Sequence, residues 1–450
     1  MKIIEQGNTN IAQLIKKKNI EGKKLFRLSN FAYLFSNPEH NLVKYTLTDA
    51  LIELSDEEWQ VISKLKDEKI TGSELQERGL LYLAENCILV EHDFDEYKHY
   101  SLAIHVLKTM SSGKNKGVKS YTILPTTACN ARCIYCYEEG MEFRTMTPST
   151  ADNVVDFICK TKRTDNISIN WFGGEPLVAE DVIQYICEKL NECNVSFSSK
   201  VITNATLLTK ELVKKAKQSW HLESAQVSVD GNRQDYELRK RYRNPSIHNY
   251  DVMMNAISYL LDEGIKVNVR CNYDLENLAG IKDFIEELNT RFGTNANFSI
   301  YFAMLFQESE SRNSIELQKE IVNIIRHYRS LGMNFVIVPY RDCQFRVNYC
   351  MADSNGKHIV IDPDGFLYNC EHLPNNIPFG HISDENFNIT SDNRVSMTVH
   401  EKCRQCCFLP YCTPFFRNAC PNWSKYCYEI KRVDMDFMLE EQIKGKSNDS

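Results

Sequence analysis

From residue 118 to about 340 the chain alternates short β-prone runs with amphipathic segments of helical spacing. No other feature limits its fold as much. VKSYTIL (118–124), ISINWF (167–172), KVIT (200–203), AQVSV (225–229), IKVNVRC (265–271) and NFSIYF (297–302) read as strands. Between them NVVDFICKTK, ELVKKAKQSW and VMMNAISYLLDEG place apolar residues three and four apart, as a half-buried helix does. Strands joined through helices predict a parallel sheet with right-handed crossovers. Six such units suit a partial (β/α)6, TIM-like barrel better than a closed eight-stranded one. A ligand is then expected at the C-terminal ends of the strands, where loops and helix N-termini meet.

The flanks read differently. Residues 20–105 mix short strands (LFRLSN, YLFSN, LVKYTL) with helices, and Ser55 followed by Glu58 is a capping-box helix start. Such a mixture resembles a winged-helix-like α+β module. SSGKNKG (111–117) has the composition of a linker. After about 340, Cys, Pro, Asn and Gly become frequent and helical periodicity fades until VDMDFMLEEQIKGK. A region so poor in long apolar elements needs another source of stability, and bound metal is one. The expected division is 1–110, 118–340, 341–435 and a tail, 436–450.

Cysteine usage sharpens this. The chain has 450 residues and 17 cysteines, of which three fall between 129 and 136 and nine between 343 and 427. No run approaches the ~18 apolar residues of a membrane span. The first residues show no secretory pattern. The expectation is a soluble, cytoplasmic protein, where clustered cysteines bind metal or do redox chemistry more often than they pair. A net charge of -7 argues against non-specific nucleic-acid binding. Cys159 and Cys187 sit on apolar helical stripes and read as core.

TTACNARCIYCYEEG follows the first barrel strand and spaces Cys129, Cys133 and Cys136 as C-x3-C-x2-C. Three thiolates from one loop can converge on one iron–sulfur cluster and leave one iron open for chemistry. This spacing, with aromatic Tyr135 before the last cysteine, resembles the radical S-adenosylmethionine superfamily. The resemblance implies a [4Fe–4S] cluster whose open iron chelates S-adenosylmethionine, and a 5′-deoxyadenosyl radical that takes a substrate hydrogen. It implies that Gly173, Gly174 and Glu175, in WFGGEP, contact the amino group of that ligand. Asn204 in ITNAT matches a polar position near it. Ser228 and Asp230 in SVDG could bond its ribose or carboxylate, and Arg270 could pair with the carboxylate.

Gly365 stands five residues before Cys370, and Cys403, Cys406 and Cys412 give C-x2-C-x5-C. This resembles the SPASM domain of radical enzymes that modify peptides and proteins. The pattern departs at Phe416, where a cysteine is due; Cys420 follows after seven residues, and Cys407 is surplus. By the family's ligation, Cys403, Cys406, Cys412 and Cys427 hold an outer cluster, and Cys343, Cys350, Cys370 and Cys420 an inner one. The shifted spacing leaves that partition open. With the barrel's own, the resemblance implies three [4Fe–4S] clusters.

Radical enzymes with this C-terminal domain act mostly on polypeptides, and those that process ribosomally made precursors often bind the leader by strand addition to an N-terminal winged-helix module. The expected function is formation of a cysteine thioether cross-link in a precursor peptide, with flavodoxin or ferredoxin as electron donor. A side-chain oxidase of the anaerobic sulfatase-maturase type, a carbon–carbon cross-linking maturase, and a zinc-stabilised binding protein without redox activity are the rival readings.

Overall fold

The computed structural model describes residues 2–5, 7, 20–111, 117–162, 166–244, 248–305, 308, 311–336, 357–371, 377–385, 399, 401–412 and 425–448. Cys343, Cys350 and Cys420 lie outside them, as does most of the expected linker.

The first part of the chain forms two small antiparallel sheets. Strands β1 (Lys2–Glu5), β3 (Ala32–Ser36), β4 (Asn41–Tyr45) and β5 (Ala50–Leu54) pair in the order β1-β5-β4-β3. Strands β2 (Leu25–Leu28), β6 (Ile70–Thr71) and β7 (Leu89–Glu91) form the other, in the order β6-β2-β7. The helix Asp56–Ile62 starts where Ser55 and Glu58 exchange side-chain-to-backbone bonds, which satisfies two of the orphan N–H groups of its first turn.

The barrel strands are β8 (Ser120–Thr126), β9 (Asn166–Gly173), β10 (Ser196–Thr203), β11 (Leu222–Val229), β12 (Lys266–Tyr273) and β13 (Phe298–Met304). All six pair in parallel, in sequential order. Closure does not follow, because the outer edge of β8 is taken by β14 (His358–Ile361), itself extended by antiparallel β15 (Phe366–Tyr368) and β16 (Gly380–His381). The sheet's two faces differ in chemistry. Val227, Val229, Val267, Val269 and Cys271 are buried in the barrel's apolar core. On the alternate positions stand Gln226, Ser228, Asn268, Arg270 and Asn272. Strand alternation therefore gives an apolar face and a polar one.

The helix Cys427–Asn448 joins the parts. Residues 436–448, set apart above as a tail, are its second half. Phe437 is buried in the barrel core and lies under the Arg326 guanidinium, 5.4 Å from the ring centre, while Arg326 also pairs with Glu440 at 2.6 Å. Met435 and Leu439 instead pack with Phe408 against Tyr33, Phe35, Leu42 and Leu51 of the first sheet. The Tyr33 hydroxyl donates to Asp436 (2.5 Å), and Gln442 donates to Glu5. Among the described residues no helix is long and apolar enough to cross a membrane.

Candidate functional site

The loop that follows β8 is fixed on both sides. The Glu175 N–H donates to the Ala128 carbonyl (2.9 Å), and Arg243 N–H to that of Asn130 (2.9 Å). Ile134 N–H donates to the Arg239 carbonyl (3.0 Å). The Asn130 side chain accepts from Asn204 Nδ2 (2.8 Å) and donates to Thr206 Oγ1 (3.0 Å), which ties the loop to the end of β10. Cys129, Cys133 and Cys136 are half-buried and line one cavity. Gly173, Gly174, Glu175, Asn204, Ser228, Arg270 and Tyr135 line it with them. Ten of the eleven residues expected here thus meet at the strand ends, while Asp230 stands behind the wall rather than in it.

The glycines are steric necessities. Gly173 has φ +131°, and a Cβ there would lie 2.2 Å from the Thr126 carbonyl oxygen; at Gly174 it would lie 2.5 Å from that of Thr127. Their compactness lets the β9 end pass directly behind the cysteine loop. Glu175 is almost fully buried. Its carboxylate accepts from Thr203 Oγ1 (2.7 Å), Leu177 N–H (3.2 Å) and Asn204 N–H (2.8 Å). Burial nevertheless pushes its carboxyl up to about 7.

Asp230 anchors a second network. It accepts from the Tyr135 hydroxyl (2.5 Å) and Asn272 Nδ2 (3.0 Å), and its other oxygen is 3.3 Å from Lys240 Nζ. Lys240 also donates to Tyr135 (3.0 Å) and is 3% exposed, yet it lines the cavity. Burial alone would lower it; Asp230, then Tyr135 and Cys133, raise it well above the usual lysine value, so it carries its charge. Arg270 donates through Nε to Asn272 Oδ1 at 3.1 Å. Lys240, Asn272 and Asn130 were not singled out in the sequence. Lys240 stands in LRKRYR, a run whose charges look solvated, and only the tertiary structure turns it inward.

Burial raises all three loop thiols, Cys129 to about 12, so binding a metal there would release protons. Among the described residues no three His, Cys, Asp or Glu side chains are gathered closely enough to hold a single ion. The donor set fits a [4Fe–4S] centre with an amino-acid ligand. Three soft thiols would suit iron, buried Glu175 an ammonium, and Arg270 a carboxylate, while Lys240 is engaged by Asp230 and Tyr135.

The second group of cysteines lies beyond. Burial, with Cys412, Cys406 and Cys427 close by, raises Cys403 to about 11. These four thiols are therefore neighbours. Lys431 lies beside Cys412 and Cys427. Cys407 is buried in the apolar cluster around Phe408, with its thiol beside that of Cys406. Cys370 and Cys136 both lie near Tyr137.

Known proteins resemble this chain in sequence and in fold. Residues 123–288 match the Radical SAM superfamily. An uncharacterized protein of Methanocaldococcus jannaschii is 26% identical over 275 residues, 60% of this chain and 91% of that protein. A protein of Methanothermobacter thermautotrophicus described as "Probable GTP 3',8-cyclase" is 34% identical, over 20% of this chain and 29% of its own length. Among solved structures, native anSMEcpe with bound AdoMet has a TM-score of 0.57 at 15% identity, covering 74% of this chain and 100% of that one. Streptococcus suis SuiB bound to precursor peptide SuiA has a TM-score of 0.50 at 15% identity, covering 91% and 99%. These two are likenesses of fold. The chain is an enzyme, and the match over residues 123–288 implies a [4Fe–4S] cluster and S-adenosylmethionine.

Proposed function

We propose that this enzyme modifies a ribosomally made precursor peptide and closes a thioether between a cysteine sulfur and a carbon of the same peptide. The observation that carries the reading is layout. The likeness to SuiB with its peptide extends over 91% of the chain, against 74% for anSMEcpe. The part beyond the barrel is therefore built along similar lines in a protein that binds a precursor peptide. In this reading Cys129, Cys133 and Cys136 hold the [4Fe–4S] centre, and Glu175 and Arg270 orient the amino and carboxylate groups of S-adenosylmethionine. With both bound, the site supplies reductive cleavage of the sulfonium and abstraction of a hydrogen atom. Lys240 and Asp230 keep Tyr135 and the loop in place by their bonds.

Cys403, Cys406, Cys412 and Cys427 bind one auxiliary cluster, and Cys370, with Cys343, Cys350 and Cys420, a second. Residues 1–110 hold the leader in a winged-helix-like module, and an extended leader adds to a sheet edge through main-chain bonds. A tethered core peptide then reaches the cavity at raised effective concentration.

The test is an anaerobic assay with a cysteine-containing precursor. Thioether closure removes two hydrogen atoms and one free thiol. Loss of two hydrogens with every thiol retained would replace it with a carbon–carbon cross-link. Conversion of a serine or cysteine side chain to an aldehyde would replace it with side-chain oxidation. Equal turnover of leaderless and full-length peptide would remove the leader-binding role.

A further inference from the structure

Each group of cysteines keeps a lysine close by. Lys240, beside Cys133, meets the fully buried carboxylate of Asp230 at 3.3 Å. Lys431 is placed differently. It is half-buried and stands four residues after Cys427 in the helix Cys427–Asn448, so the two side chains share a face. It donates to the sulfur of Cys412 and lies beside Cys427, and its charge reaches Cys403 and Cys406 as well. One ammonium therefore attends all four thiols.

Three residues further along the helix is Asp434, buried and close to Lys431. Its carboxylate accepts from Gln318 Nε2 at 2.6 Å, and Gln318 accepts in turn from the Tyr273 hydroxyl at the end of β12. A carboxylate beside the ammonium is thus pinned from the barrel. The four thiols are neighbours, yet among the described residues no three such side chains are close enough to hold a single ion. That spacing suits a polynuclear centre. A thiolate-ligated cubane is anionic and gains a further negative charge when it takes an electron. A positive charge fixed beside it favours the reduced form, more so where water is partly excluded, and a hydrogen bond to a ligating sulfur acts in the same sense.

We propose that Lys431 raises the reduction potential of the cluster held by Cys403, Cys406, Cys412 and Cys427, and that Asp434 limits how far it is raised. The step is a one-electron reduction: the cluster gains the electron, the reductant loses it, and no bond forms or breaks. Lys431 binds neither peptide nor S-adenosylmethionine in this role. It lets the cluster take an electron from a weaker reductant than it could without the charge. The inference rests on the reading that these four thiols hold an iron–sulfur cluster, but not on the peptide chemistry.

The test is a redox titration of the reconstituted full chain at about pH 8, where the Asp434 carboxyl has lost its proton. Reduced clusters are followed by electron paramagnetic resonance, and the signal missing from Cys403→Ala with Cys406→Ala identifies the cluster in question. Lys431→Gln is expected to make its reduction at least tenfold less favourable, a fall of about 59 mV in midpoint for one electron. Lys431→Arg, which keeps the charge, should stay near the unmodified value. Asp434→Asn should favour reduction by a fewfold. Dithionite-driven formation of 5′-deoxyadenosine should be the same in all three. An unchanged midpoint in Lys431→Gln would overturn the proposal. So would an equal fall in Lys431→Arg, or a parallel loss of 5′-deoxyadenosine formation. Should Lys431→Gln lose the cluster, Asp434→Asn decides, and no rise there overturns the proposal equally. Zinc in place of iron at these thiols would defeat the cluster reading and this inference together, whereas an iron cluster indifferent to Lys431 defeats this inference alone.

Discussion

Cys129, Cys133 and Cys136 hang from the end of a parallel strand, whereas Cys403, Cys406, Cys412 and Cys427 are spread over two short turns, Glu401–Gln405 and Leu409–Tyr411, and the start of a long helix. The first group is held by backbone and side-chain bonds to the ends of β9, β10, β11 and β12. The second leans on packing: Phe408 on Tyr33 at 5.3 Å, Leu409 in the core of the N-terminal module, and Thr46 Oγ1 donating to the Cys407 carbonyl at 2.5 Å. One region is a cavity braced by hydrogen bonds. In the other, the cysteines stand at the edge of a small apolar cluster, and an iron–sulfur cluster held as proposed would add stability to that packing.

The contrast is sharpest where the thiols are removed. Cys129, Cys133 and Cys136 changed together to Ala should reduce S-adenosylmethionine cleavage to background, with iron falling from about twelve to about eight per chain, since three cubanes hold four each. Product formation under dithionite, measured by chromatography, checks this, and persistent 5′-deoxyadenosine would undo the assignment. Thermal unfolding should barely change.

Cys403→Ala with Cys406→Ala should do the reverse. Iron again falls to about eight, but the unfolding temperature drops and proteases gain access to residues 20–111, while dithionite-driven cleavage persists within a few fold. If that variant instead kept its stability and lost cleavage, the two regions would not differ as described.

Phe408→Ala probes the same region without touching a thiol. Phe408 is fully buried where the first sheet meets the last helix. Its truncation should cost about 3–5 kcal/mol in denaturant unfolding, the range for a buried aromatic.

The smallest effect is a slope. Burial raises the Asp434 carboxyl to about 7, although Gln318 donates to it at 2.6 Å. An unfolded aspartate titrates near 3.9. The folded form therefore holds the proton more tightly, and stability should decline as pH rises from about 4 to about 7, then level off. Asp434→Asn should flatten that decline in calorimetric scans between pH 4 and 8.

Motif and alternation made the barrel legible. Each strand read from β-prone runs lies within a few residues of an observed one, and Gly173, Gly174 and Glu175 sit beside the loop, at the end of the next strand, where the resemblance led us to look. The side-chain partnerships were not legible. Asn204 spends its amide on Asn130 and accepts from Thr206 Oγ1 (2.6 Å), so much of its work is to pin the loop. Asp230 meets Tyr135, Asn272 and Lys240 from three separate segments, and no local pattern marks such convergence. The last helix was undervalued because its apolar residues face two ways, Phe437 to the barrel and Met435 and Leu439 to the sheet, which blurs the single stripe that betrays an amphipathic helix.

That two-sided helix also acts as a ruler. Because it is bonded to the barrel through Arg326 and to the first sheet through Tyr33, the distance from the N-terminal module to the cavity is fixed. If the N-terminal module holds the leader as proposed, a peptide gripped at one end of such a ruler would be read by counting. At roughly 3.3 Å per extended residue, the spacer between grip and cavity would then select one residue for reaction. A peptide lengthened by one residue would offer its neighbour instead.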